Sequence, residues 1–145
     1  MAALAVEPTP ADTPKPRPLD ALGLVPAAMH PEVRRAIAGL HVNIDLSAAT
    51  ELVVARIESD CPAILLVDAD LLGCPEDVCR FARSLRPDVR VFGLAYYWSE
   101  REEALLMCAD AILHKPARNA EWKAVMRRFG VPDVNLASSQ SFTSP

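Results

Sequence analysis

A parallel β-sheet covered on both faces by helices follows from three features of the 145-residue sequence. Short runs of β character alternate with segments of helical period, and no repeat of fixed length interrupts them. One of those runs, Ala63 to Val67, is apolar throughout, as a central parallel strand buried on both faces must be, and it stops abruptly at Asp68. The composition, 51% hydrophobic and 23% charged, is that of one soluble globular domain. At this length folding hides roughly 68% of the unfolded chain's surface, enough for a core without disulfides or a structural metal.

Ala21 to Val25 is a short first strand. Pro31 suits a first helical position, and Val33, Ile37 and Leu40 recur at i, i+4 and i+7, predicting the first helix. His41 to Leu46 alternates, with Val42, Ile44 and Leu46 on one face, and leads into a helix over Thr50 to Ser59 that carries Leu52, Val53 and Ile57. After the central strand, Val78, Phe81, Ala82 and Leu85 mark one side of a third helix, which stops before Pro87. Val89 to Leu94 is the fourth strand. Ser99 and Glu102 form a capping box opening a helix through Met107, and Ala111 to Leu113 is a short edge strand before Pro116. The last helix takes Asn119 as its N-cap. Trp122, Val125, Met126 and Phe129 form its apolar face, Arg127 and Arg128 suit its C-terminal dipole, and Gly130 ends it in the left-handed conformation. The total is five strands and five helices.

The two ends read differently. Five of the 13 prolines fall between Pro8 and Pro18, so residues 1–20 are expected to be a flexible arm. Residues 131–145 lose periodicity and turn Ser-rich, as a flexible tail does, leaving 21–130 as the folded unit. Fifteen Lys and Arg against 19 Asp and Glu give a net charge of -4 with no basic block, which argues against nucleic acid or anionic membrane as partner. The apolar opening lacks preceding basic residues and is broken by Glu7, so it is no secretory signal. No stretch approaches the roughly 20 apolar residues of a membrane span, and a cytoplasmic location is expected. Cysteines 61, 74, 79 and 108 form no C-x-x-C and have no His at ligand spacing, so they read as small core or surface residues in a reducing compartment, with no metal.

Functional groups of an open α/β sheet gather where strands end at their carboxyl edge. The residues there are Pro26, Asp68, Ala95 and Lys115. With their surroundings, P-A-I-L-L-V-D-A-D-L-L-G and A-D-A-I-L-H-K-P, they resemble the receiver domains of two-component response regulators over residues 21–130. That resemblance implies a (βα)5 doubly wound fold with a five-stranded parallel sheet in the flavodoxin-like order 2-1-3-4-5. It makes Asp68 the equivalent of the phosphoacceptor and Lys115, followed by Pro116, the equivalent of the lysine that contacts the phosphoryl oxygens.

The other receiver positions have changed. The acidic pair that holds Mg²⁺ after the first strand is replaced by Pro26 and Ala27, the hydroxyl residue after the fourth strand by Ala95, and the aromatic switch of the fifth strand by Ile112. Phosphoryl transfer to a carboxylate builds charge on oxygens that a divalent ion must neutralise. Asp68 alone does not replace three carboxylates, and a plain Asp68–Lys115 ion pair is the simpler reading. Asp70 reads as a solvated loop carboxylate, and His30 as the residue leading into the first helix.

Tyr96, Tyr97 and Trp98 form an aromatic run in the loop after Ala95. Two readings stand side by side: a lid over the pocket, or a partner-binding patch, since Tyr and Trp are enriched at interface hot spots. Trp122 reads as core. The resemblance then implies a stand-alone pseudo-receiver, a signalling protein rather than an enzyme. It would need no cofactor and act through a protein partner such as a signalling protein or a histidine kinase-like protein, with homodimerisation through the face of the fourth helix, fifth strand and fifth helix. The 35 residues outside 21–130 leave no room for an output domain. The alternative is an active phosphoacceptor in a phosphorelay using Asp68. A nucleotide or flavin enzyme lacks support, because no Gly-rich loop follows the first strand.

Overall fold

The computed structural model describes residues 17–71, 75–96 and 108–134. The elements are β1 (Leu19–Leu24), a 3-10 turn (Ala27–Met29), α1 (His30–Ile37), β2 (Val42–Ser47), α2 (Thr50–Ser59), β3 (Ile64–Asp68), α3 (Pro75–Leu85), β4 (Arg90–Tyr96), β5 (Ala111–Lys115) and α4 (Asn119–Arg128). The five strands form one sheet in the order β2-β1-β3-β4-β5, and every neighbouring pair is parallel. This is the doubly wound flavodoxin-like topology. The helix expected from Ser99 to Met107 lies outside the described residues.

Strand period sorts the core into two layers. In β3, Ile64 and Leu66 join a cluster with Val33 and Ile37 of α1 and with Trp122 and Met126 of α4. The intervening Leu65 and Val67 join the opposite cluster with Val53 and Ile57 of α2 and with Val78, Cys79 and Ala82 of α3. Successive side chains of a strand point to opposite faces, so a continuous apolar run serves both layers. All of Ile64 to Asp68 is buried.

Several boundaries differ from the sequence expectation. β1 begins at Leu19, because Leu19 and Asp20 already pair with Val42 and Asn43 of β2. Helix α1 ends at Ile37, since Gly39 takes φ +95° and turns the chain out of the helix. Leu40 is buried after the helix, bridged to Asp133, rather than on the helical face. Pro31 is the second helical residue rather than the first. The N-cap of α4 is Arg118, not Asn119: the Trp122 amide bonds to the Arg118 carbonyl at 3.0 Å, so the first helical turn closes one residue earlier than an Asn119 cap requires. At the other end Gly130, at φ +89°, completes a Schellman motif. Its N–H bonds to Arg127 O at 2.9 Å, and that of Val131 to Met126 O at 3.1 Å. Phe129 then meets Phe92 edge to face, with ring centroids 5.9 Å apart. Among the described residues no helix is long and apolar enough to cross a membrane.

Candidate functional site at the carboxyl edge of the sheet

Three strands bring one polar cluster together. Counting by twos, Asp68 continues the face of Ile64 and Leu66, Tyr96 that of Phe92 and Leu94, and Lys115 that of Leu113. All three are the last residues of their strands. The register places Asp68 beside Leu94 and Tyr96 beside Lys115. Since β4 lies between β3 and β5, Asp68 and Lys115 belong to strands about 9–10 Å apart, and only a long side chain spans that gap.

Lys115 spans it. Its Nζ donates to Asp68 Oδ2 at 2.9 Å, to Asp68 Oδ1 at 3.1 Å and to Asp70 Oδ2 at 2.8 Å. The same ammonium lies 4.5 Å from the centroid of the Tyr96 ring, a cation–π contact that covers it with an aromatic face. The Asp68 side chain is 0% exposed and that of Lys115 3%, whereas Asp70 is 36% exposed at the rim. Asp68 Oδ1 also accepts the Asp70 backbone N–H at 2.7 Å, folding the chain after β3 so that both carboxylates face one cation. Burial works most strongly against the charged ammonium of Lys115. Hydrogen bonds to Asp70 and Asp68, and then their charges, outweigh it and hold the pKa above the usual 10.5. The lysine is therefore a fixed cation at neutral pH.

The structure revises the reading of several residues. Asp70, taken from the sequence as a solvated carboxylate, is a direct partner of Lys115. The signal was present in the D-x-D spacing at a strand end, which allows one carboxylate to accept the amide two residues on. Tyr96 was expected in a loop; it closes β4, and its side chain belongs to the cluster. Ala95, expected just past the strand, pairs with His114 inside the ladder and is buried on the α2–α3 side. Tyr97 and Trp98 lie outside the described residues. Ile112 is half-buried and packs on that same side. Pro26 and Ala27 follow β1, where the Pro26 carbonyl accepts the Met29 N–H at 2.9 Å to make the 3-10 turn. His30 uses Nε2 in a 2.8 Å hydrogen bond with the carbonyl oxygen of Val25, and Trp122 is buried with Nε1 donating to His114 O at 2.8 Å.

A doubly wound sheet with an aspartate ending its middle strand and a lysine ending its last defines a class of fold. Solved structures similar to it specify which one. The receiver domain of a sensor histidine kinase from Pseudomonas aeruginosa, determined with magnesium in its active-site cleft, superimposes with a TM-score of 0.66 at 18% identity, over 77% of this chain and 97% of that one. A CheY-like response regulator receiver domain protein from Methanospirillum hungatei gives 0.64 at 16% identity, over 86% and 99%. The beryllofluoride-activated DrrB receiver domain gives 0.65 at 16% identity, over 77% and 97%. The chain has the response-regulator receiver fold. No protein-family model matches the sequence, and no curated protein sequence does.

A receiver fold implies a divalent cation in this cleft, and the donor set can be tested against it. The residues do not fit. Pro26 and Ala27 supply no carboxylate after β1, and the oxygens of Asp68 and Asp70 that face the cleft already bond to Lys115 Nζ. Among the described residues no group of three His, Cys, Asp or Glu side chains is placed to hold a metal. A cation entering between the two aspartates would have to displace an ammonium that is covalently part of the chain.

Proposed function

We propose that this protein is a pseudo-receiver: a signalling module that works by binding another protein, without Mg²⁺-dependent phosphorylation of Asp68. One observation carries the reading. The Lys115 ammonium satisfies both oxygens of Asp68 and one of Asp70 in a buried cluster under Tyr96, supplying from the chain itself the positive charge that a metal would bring. The substitutions at Pro26, Ala27, Ala95 and Ile112 point the same way, because each removes a group through which a phosphoryl signal would be bound or relayed.

Binding to a protein partner is then the output. A shallow groove of about 240 Å³ between β5 and α4, lined by Ile112, His114, Glu121, Trp122, Val125 and Arg128, offers apolar surface with charges at its margin. Exposed Tyr96 lies at the carboxyl end of the neighbouring strand. This surface suits docking of a signalling protein or of a second copy of the chain.

The test is incubation with acetyl phosphate, or with beryllofluoride, each with and without Mg²⁺. Intact mass and tryptophan fluorescence are the readouts. The pseudo-receiver reading expects no phosphoryl adduct and no Mg²⁺-dependent change in fluorescence. A phosphoryl group mapped to Asp68 would replace it with the phosphoacceptor reading.

A further inference from the structure

We propose that the outer edge of β2 pairs with the same edge of a second copy of the chain, antiparallel and about a two-fold axis, so that the two sheets join into one. β2 ends the sheet, with β1 on one side and no strand on the other. The bonds to β1 show which way each backbone group faces. The Leu19 N–H donates to His41 O at 3.1 Å and the Val25 N–H to Ser47 O at 2.9 Å, in a register that sets Leu19 beside Val42 and Leu24 beside Ser47. A strand residue turns its N–H and C=O to the same side, and its neighbours turn theirs to the other. His41, Asn43, Asp45 and Ser47 therefore face β1, while Val42, Ile44 and Leu46 face outward.

Little occupies that outward row. The Val42 N–H turns back to Leu40 O at 2.9 Å, and Arg34 Nη1 reaches Ile44 O at 3.5 Å. Among the described residues, the N–H groups of Ile44 and Leu46 and the C=O groups of Val42 and Leu46 find no hydrogen-bond partner in the chain. The strand V-N-I-D-L-S pairs with β1 without a bulge and carries none of the proline or lysine that keeps an edge single. Its acidic residue, Asp45, is met by Arg56 of α2 at 2.9 Å. Leu52, one turn before Arg56 on the same stripe of α2, is 65% exposed. It stands beside the open edge, where a second copy would shield it from water.

The strand is complementary to itself, and that selects the occupant. An axis through Ile44 sets Ile44 against its counterpart and Val42 against Leu46, half-buried apolar side chains that carry the α1–α4 layer from one copy to the next. On the opposite face it sets exposed Asn43 against exposed Asp45 of the second copy, an amide donor against a carboxylate. Shifting the axis to Asp45 would place like charges directly opposite, which is destabilising. In the Ile44 register each Ile44 N–H meets the Ile44 carbonyl of the other copy, and each Leu46 N–H its Val42 carbonyl. A pair of short strands is expected to bury less than the roughly 1,600 Å² of a standard stable complex, so the dimer dissociates on dilution. It leaves the groove between β5 and α4, at the far end of the sheet, open to another protein.

The experiment is sedimentation velocity of the full chain from micromolar to millimolar concentration, with amide hydrogen exchange at both ends of that range. The expected result is a reversible dimer in which the Ile44 and Leu46 amides exchange more slowly as concentration rises. Asn43→Asp sets like charges opposite each other at both symmetric positions and should weaken dimerisation several-fold, and Leu52→Glu should weaken it as well. Asn43→Lys sets opposite charges there and should tighten the dimer several-fold, a gain that a folding defect does not produce. A monomer throughout the range or a dimer indifferent to these substitutions would overturn the proposal. So would protection of Ile44 and Leu46 that does not change with concentration, the sign of an occupant from the same chain.

Discussion

Lys115 is the residue on which the cleft depends. Its ammonium is shared by Asp68 and Asp70 where solvent is nearly excluded from Asp68. Removing one partner of a buried ion pair strands the other, at a cost of about 3–5 kcal/mol, whereas replacing both with apolar groups of similar volume is often neutral. Lys115→Met should therefore lower unfolding stability by about that amount, and Asp68→Leu with Lys115→Met should recover most of it. Urea denaturation of the two variants checks both outcomes; a double variant no more stable than the single one would contradict the pairing. The pH dependence has a definite sign. A lysine whose folded pKa is raised contributes stability that is complete below its unfolded value of about 10.4 and fades as pH rises through the folded value. The stability gap between wild type and Lys115→Met should thus stay level from neutral pH to about 10 and shrink above it.

At the scale of the elements, period explains both what the sequence revealed and what it hid. The apolar run before Asp68 and the one-sided helix over Val78 to Leu85 were legible because burial on one or two faces leaves a direct trace in the order of residues. The end of α4 was legible for the same kind of reason: Gly130 sits at φ +89°, where an L side chain is disfavoured by roughly 1–2 kcal/mol. Gly130→Ala should lower stability by about that amount in thermal unfolding. A Cβ there would also meet the Arg90 guanidinium at 3.4 Å. The sequence points to Asn119 as cap because Asn is a good cap by composition, whereas the first turn closes on the Arg118 carbonyl, which accepts the Trp122 N–H. Trp122→Phe would leave the His114 carbonyl without its indole donor and a void in the α1–α4 layer, costing about 1–3 kcal/mol by denaturant titration. The role of Asp70 was hidden because a contact across β4 depends on register, which the spacing of residues within one strand does not record.

Considered as a whole, the molecule has the scaffold of a receiver, with the Lys115 ammonium bonded to both aspartates of its cleft. The order β2-β1-β3-β4-β5 places the ends of β3 and β5 on either side of β4, which puts Asp68 within reach of the Lys115 side chain. The sequence carried the two end residues and the strand count between them, and these were enough to point to the fold. It could not show that Lys115 would face two carboxylates under an aromatic ring, since that depends on Tyr96 ending β4 rather than starting a loop. The pseudo-receiver proposal has a direct consequence: with the Lys115 ammonium bonded to Asp68 and Asp70, the cleft should not take up a divalent ion. Isothermal titration of Mg²⁺ into the protein at neutral pH tests this most directly. The account predicts no saturable heat at millimolar Mg²⁺ in the wild type; a saturable binding isotherm abolished by Asp68→Asn would contradict it.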